Sequence, residues 1–426
     1  AKVILFHFFE DLIYQYLTIM TPKVVIIGGS YAGLAALNTL KLLITKNSGA
    51  IAKSISITLI EPKSGFLNIL GLPKSIVNKE FASQQYVPFC DFLKFDNVVS
   101  NSNDLKVQLK KNTNSDNNNL MLNYIQGKVT KLTSSRVTYT TNDTDESSID
   151  YDYAILATGR NRNWPVNPKG ITFESYLNEM EITNKKIQKS SIISIIGGGA
   201  VGIELAAEIK LHYPNKVVNL IHPHGTLPPE PILDAFKNKT LQSLKQANIN
   251  VFLNTRIDTS KTSLNNGETS NLKTTDGKTI ESNLNIWATS FKNNLDYLSL
   301  DLQRSIHITA NHNIKTNDYL QVSNMSNIYA VGDLIELSTI KSAGWAFHTG
   351  IQAGTNVYNS IFDKPLQLSR ISFKQIDSHK LTIVGGEGSI IHEVKGNLEI
   401  NPESMVQEYQ DYRLGTCKKF IGATVN

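Results

Sequence analysis

An α/β fold is predicted by one design that occurs twice along the chain. Residues 24–27 form an apolar run that meets a glycine-rich turn and then a helical stretch. Residues 192–196 do the same. A short continuous apolar run is the signature of a parallel strand buried on both faces, and a helix after it completes a β-α-β unit. At 426 residues the chain exceeds one ordinary core, which accommodates two such units and a smaller region beyond them.

Composition narrows the class. Hydrophobic residues at 41% and charged residues at 19% describe a globular chain. The net charge of +5 is modest, and the lysine doublets Lys110-Lys111 and Lys418-Lys419 are too short for a nucleic-acid footprint, so no nucleic-acid partner is expected. The cysteines, Cys90 and Cys417, form no C-x-x-C and no zinc-ligand spacing; no metal site or disulfide framework is expected, and a reducing compartment suits the chain. Residues 1–19 are apolar and aromatic, but Glu10 and Asp11 break the run short of a bilayer span. Lys2 is their only basic residue, which fits neither a secretory signal nor a transit peptide. Met20 reads as a natural start; the alternative for residues 1–19 is a peripheral membrane anchor.

The elements follow in order. After the strand at 24–27 a helix is expected over about 31–43, then a polar connection (45–54, with Gly49) and a second strand at 55–60. An irregular stretch carrying Pro62, Gly65, Gly71, Pro73 and Pro88 leads to an Asn-, Ser- and Lys-rich segment, 100–119, expected to be short strands with a floppy tip. Alternation at 129–132 and 136–140 precedes another buried strand, 153–156. The second unit continues as a helix over about 201–211 and a strand at 217–221, with further strands at 251–253, 272–275 and 285–288. Strand character returns at 328–331, and a long helix is expected over 343–362. From 369 onward a small β-rich region is expected, with turns at Gly385-Gly386 and Gly388.

The two turns have the chemistry of Rossmann-like dinucleotide-binding loops. In the first, Gly28-Gly29-Ser30-Tyr31-Ala32-Gly33, Gly28 permits the tight turn and Gly33 lets the helix approach the strand. The free amides at the helix start then face a pyrophosphate. Ser30 replaces the usual second glycine. The second turn keeps the full G-x-G-x-x-G pattern at Gly197, Gly199 and Gly202, with Ala200 and Val201 between. The residue ending the second strand of each unit selects the ribose. Glu61 places a carboxylate for ribose hydroxyls in the first unit. His222, followed by Pro223 and His224, offers neither a carboxylate for NADH nor an arginine for NADPH, and we read this as NADPH or dual use.

With these turns stand Ala157-Thr158-Gly159 after one strand, Ala288-Thr289-Ser290 after another, and Asn327-Ile328-Tyr329-Ala330-Val331-Gly332-Asp333. Over about residues 22–365 this order resembles the two-dinucleotide-domain flavoproteins, which include ferredoxin reductases, type II NADH dehydrogenases and apoptosis-inducing factors. The run Gly197–Ile209 and Lys341-Ser342-Ala343 are most similar to the apoptosis-inducing-factor-like group that includes ferroptosis suppressor protein. The resemblance implies FAD and NADH or NADPH as cofactors, with the nicotinamide domain (165–282) inserted into a split FAD domain (20–164 and 283–365), residues 1–19 unassigned and a C-terminal α+β domain at 366–426. It implies that Glu61, Pro62, Val129, Thr158, Gly159, Arg160, Gly332 and Asp333 join the first turn at FAD, and that His222 and Ser290 join the second at the nicotinamide cofactor. Glu204 and Lys341 would lie near the flavin and nicotinamide.

Hydride transfer to flavin and onward delivery to a small-molecule acceptor, a quinone, is therefore the expected activity. Trp345 and His348 could line the acceptor site. The quinone pattern of type II NADH dehydrogenases is matched at Ala343 and Ala346, while Gly344 and His348 replace its glutamines. The competing expectation is a redox-responsive signalling flavoprotein with slow turnover. An intracellular location, cytoplasmic or mitochondrial, with at most peripheral membrane contact, fits either.

Overall fold

A computed structural model describes residues 21–48, 54–103, 106, 119–142, 145–260, 271–337, 340–367, 380–385, 390–394 and 397–423. The expectations for residues 1–19, the tip of 100–119, Gly49, Gly386 and Gly388 lie outside these residues.

The first apolar run becomes strand β1 (Lys23–Ile27), followed by helix α1 (Tyr31–Lys46) and strand β2 (Ile55–Ile60). Strands β3 (Asn97–Val99), β4 (Leu120–Ile125) and β5 (Tyr153–Leu156) extend the same sheet. The second unit contains α2 (Phe173–Lys189), β6 (Ile192–Ile196), α3 (Ala200–His212), β7 (Val217–Ile221), α4 (Asp234–Gln246), β8 (Asn250–Phe252) and β9 (Leu284–Trp287). Then come β10 (Ile328–Ala330) and α5 (Ala343–Ile361).

The first sheet has six strands in the order β10-β5-β1-β2-β4-β3, every pairing parallel. Its outer strand β10 comes from far down the chain, with Ala154 opposite Ile328 and Leu156 opposite Ala330. The sheet is thus assembled from two segments with the second unit between them, as a split domain requires. The second sheet runs β8-β7-β6-β9, again parallel throughout. Here the structure corrects one expected boundary. Residues beyond 282 were assigned to the FAD half, yet β9 pairs with β6, Ile193 opposite Leu284 and Ile196 opposite Trp287. The reason is geometric: the end of β9 backs the second glycine turn as the end of β5 backs the first.

Small residues fix how α1 lies. A Cβ on Gly350 would meet the Ala32 carbonyl oxygen at 2.2 Å, and one on Gly354 would meet that of Ala36 at 2.7 Å. Helix α5 therefore lies directly on the backbone of α1, which is held between α5 and the sheet. The C-terminal region contains an antiparallel sheet, β11 (Lys380–Val384), β12 (Ile390–Val394) and β13 (Asn397–Ile400), and helix α6 (Leu414–Ile421). It straddles both cores: Leu414, Cys417 and Ile421 join that of the first sheet, while Ile383 and Ile391 join that of the second. Among the described residues no helix is long and apolar enough to cross a membrane.

Candidate functional site

The first turn is built around backbone contacts that only glycine permits. Gly28 adopts φ +108°, and a Cβ there would meet the Ala157 carbonyl oxygen at 2.4 Å. A Cβ on Gly33 would lie 1.8 Å from the Gly28 carbonyl oxygen. Ser30, which caps α1 with φ −114° and ψ −152°, is in extended backbone open to any residue, so its replacement of glycine costs the fold nothing. Glu61 sits against Gly29. Its Oε2 accepts from the Gly29 amide at 2.7 Å and its Oε1 from the Lys63 amide at 2.9 Å. Burial raises the pKa of this carboxyl, and the two amides oppose the rise. An ionised carboxylate holds about four lone-pair sites, so the pair of amides leaves acceptor capacity on both oxygens for a vicinal diol.

The second turn repeats the geometry with one substitution of chemistry. Gly197 adopts φ +121° with its Cβ position 2.6 Å from the Ala288 carbonyl oxygen, and a Cβ on Gly202 would lie 1.8 Å from that of Gly197. Where Glu61 stands in the first unit, His222 stands here: its Nδ1 accepts from the Gly198 amide at 3.1 Å. That bond assigns the proton of the neutral ring to Nε2. Burial, then the neighbouring His224, lowers the His222 pKa, so the ring is neutral at pH 7. Among the described residues, none beyond its chain neighbours comes within 4 Å of a Cβ position at Gly199, which leaves open space for a phosphate to approach the backbone. Ala200 and Val201 open α3 beside it, and Ser290 begins the strand Ser290–Asn293 that pairs with Arg160–Arg162.

Several expected residues converge beside the first turn. Gly332, at φ +66°, has its Cβ position 3.3 Å from the Ala32 Cβ, and its amide donates to Thr349 Oγ1 at 3.0 Å. Asp333 Oδ2 accepts from Arg162 Nη2 at 2.9 Å. Lys341 Nζ donates to the Asp333 carbonyl and to Asn313 Oδ1, each at 2.7 Å. Burial, then the charge of Arg160, lowers the Lys341 pKa to about 8. Thr158 donates to the Asn294 carbonyl at 2.9 Å and lies 3.2 Å from the Tyr297 hydroxyl; Gly159 turns at φ +64°. Tyr31 points inward, its hydroxyl donating to Asn68 Oδ1 at 2.7 Å. Val129 is buried on an antiparallel strand of the first unit, whereas Pro62 is exposed and meets the protein through its carbonyl, which accepts from Gln126.

Glu204, on the first turns of α3, faces the C-terminal segment: its charge, after burial and Glu208, contributes to raising the Tyr412 hydroxyl pKa well above the phenol range. Arg162, Asn68, Tyr297 and Asn313 contact the expected residues Asp333, Tyr31, Thr158 and Lys341, and Tyr412 bonds in turn to Asn68; local patterns miss these partners, and only Arg162, two places after Arg160, carried a nearby signal. Both cysteines are ill suited to thiolate chemistry. Burial pushes Cys417 up to about 12 and raises Cys90 as well.

A family model described as pyridine nucleotide-disulphide oxidoreductase matches residues 22–353. Oxidoreductase OXR1 of Ajellomyces capsulatus is 31% identical over 371 residues, covering 80% of this chain and 75% of its own. Ferroptosis suppressor protein 1 of Mus musculus is 26% identical, covering 81% and 82%. Among solved structures, NDH2 from Plasmodium falciparum in complex with NADH superimposes with a TM-score of 0.64 at 15% identity, covering 94% of this chain and 98% of that one. The last likeness is one of fold.

Proposed function

This chain belongs to the pyridine nucleotide-disulphide oxidoreductase family, among its apoptosis-inducing-factor-like flavoproteins, and from that membership we propose that it passes electrons from NADH or NADPH through FAD to a quinone. It is an NAD(P)H-dependent flavoprotein oxidoreductase whose cofactors are FAD and NADH or NADPH. We assign FAD to the first sheet and the nicotinamide cofactor to the second. One observation carries the assignment: two glycine cradles of equal geometry differ at the ribose position, Glu61 in one and His222 in the other.

Bound FAD would supply the hydride-accepting chemistry, with two electrons and a proton passing on to the acceptor. The protein binds, orients and tunes. Glu61 takes the ribose hydroxyls, and the amides opening α1 face the pyrophosphate. We assign Gly332 and Asp333 to the ribityl and phosphate groups of FAD. The Lys341 ammonium, charged below about pH 8, supplies positive charge for a flavin that gains negative charge on reduction. The cysteines supply no paired thiols, so electrons leave without a protein disulfide. For the acceptor, Trp345 and His348 meet edge-on at 5.6 Å on α5. Burial lowers the His348 pKa, and its buried Nε2 has no partner among the described residues. A neutral imidazole beside an aromatic ring suits a flat carbonyl acceptor.

The test is a visible spectrum before and after anaerobic NADH or NADPH, followed by a soluble quinone. Flavin bands that bleach with nucleotide and recover with quinone support the reading. A colourless protein that also refuses added FAD sinks it. Two substitutions refine it. His222→Glu installs a charged acceptor at the ribose position and is expected to shift the ratio of kcat/KM towards NADH by about tenfold or more, since repulsion of a 2′-phosphate costs over ~1.4 kcal/mol. An unchanged ratio removes His222 from the nucleotide site. Lys341→Met is expected to remove a fall in flavin reduction rate as pH rises through about 8. The same lysine works on stability in the opposite direction. Its folded value lies below the 10.5 of a free lysine, so the unfolded chain binds more protons between those values and stability rises with pH across them.

A further inference from the structure

The second sheet's core takes in Leu67, Leu72, Ile76 and Tyr86 of the first unit, so the distance between flavin and nicotinamide depends on this apolar packing and on the polar contacts that cross with it. We propose that Tyr412 is a buried polar tie across this packing: a positioning residue that sets the second unit's helix α3 against the first unit's turn for hydride transfer. The inference rests on the functional reading above.

Tyr412 belongs to neither sheet and touches both units. Its carbonyl accepts from Asn68 Nδ2 at 3.0 Å, and its hydroxyl donates to Glu208 Oε1 at 2.6 Å. Its ring packs edge-on against Phe81 at 5.6 Å. Asn68 in turn accepts from Tyr31, which opens α1 within the first glycine turn. Glu208 lies on α3 one turn beyond Glu204. A path thus runs from the first glycine turn to α3 through this one residue, entering at its backbone carbonyl and leaving at its hydroxyl. All its members are buried: Tyr31 is 6% exposed, Asn68 0%, Tyr412 2% and Glu208 1%. Inside protein such a path is stiff, because breaking any link leaves a buried polar group unpaired.

The backbone supports this reading. Tyr412 and Arg413 are consecutive non-glycine residues in left-handed conformation, at φ +52° and +62°. Such strain persists where surrounding contacts over-determine it. Here Arg413 is fixed by its amide to the Glu408 carbonyl at 3.1 Å and by its guanidinium to Glu408 Oε1 at 2.7 Å. The kink aims the Tyr412 carbonyl at one unit and its hydroxyl at the other. His212 Nδ1 lies 3.0 Å from the Glu208 carbonyl oxygen and 3.5 Å from the second carboxylate oxygen. Hydride transfer requires reacting atoms about 3–3.5 Å apart, and small misplacements are costly.

The test uses the FAD-loaded full chain in anaerobic stopped flow, separating flavin reduction by nucleotide from reoxidation by a soluble quinone. Tyr412→Phe is expected to slow reduction by about tenfold or more with FAD content and reoxidation unchanged. Glu208→Leu cuts the same bond from the other side, decides the matter should Tyr412→Phe fail to fold, and is expected to match it. The double variant is expected to lose no more than either single one. Glu208→Gln, whose amide oxygen still accepts the hydroxyl proton, is expected to recover most of the loss. Reduction at the wild-type rate in both single variants overturns the inference alone, as does an equal fall in both half-reactions. Wild-type protein that neither nucleotide reduces overturns the functional reading, and the inference with it.

Discussion

Gly33→Ala is expected to give a protein that purifies with less than about a tenth of its flavin and unfolds at a markedly lower temperature. The added methyl would sit 1.8 Å from the Gly28 carbonyl oxygen, so α1 must withdraw from the turn. It has nowhere to go. On its other side the Ala32 and Ala36 carbonyls already lie against Gly350 and Gly354, where even a Cβ is excluded. Overpacking of this kind costs ~1–3 kcal/mol. The displaced helix start also loses its aim at the pyrophosphate, and with bound cofactor goes the stabilisation that binding confers. Absorbance at the flavin bands relative to protein, with a melting curve, checks both parts. Full flavin content in this variant removes the first turn from the FAD site.

Gly202→Ala is expected to separate the two half-reactions. Its methyl meets the Gly197 carbonyl oxygen at 1.8 Å and the Ala288 Cβ at 3.1 Å, an intrusion confined to the second unit. The protein should remain yellow and be bleached normally by dithionite, which needs no nucleotide site. Reduction by NADH and NADPH should slow by about a hundredfold or more, the scale on which an ångström of misplacement acts. Nucleotide reduction at the wild-type rate would remove the second turn from the nicotinamide site. A colourless product would show instead that the two units do not fold independently.

Much of the fold was legible because it is written in short local patterns. Buried parallel strands read as apolar runs, and Gly28, Gly33, Gly197 and Gly202 stand at fixed offsets where a side chain would strike backbone. Glu61 and His222 were legible for the same reason, as residues ending a strand beside the turn. Ser30 departs from the glycine pattern, but a pattern does not reveal conformation; in extended backbone the position needs no glycine. The boundary at 282 misplaced β9 because its partner lies some ninety residues earlier, and an isolated apolar run does not say which sheet it joins. The long-range partners were less legible still. Asn68 meets Tyr412 across 344 residues and Arg162 meets Asp333 across 171, contacts that follow from the folded geometry and leave no periodic trace.

The origin of β10 bears on the order in which the protein forms during synthesis. Residues 192–287 supply every strand of the second sheet, so that sheet can close as soon as they leave the ribosome. The first sheet begins earlier yet waits for Ile328–Ala330 to complete its edge beside β5. Until then β5 shows an open apolar border, the kind of edge that recruits strands from other chains. The part of the protein that starts first is thus the part that finishes later, and the growing chain is most exposed to mispairing between those two moments.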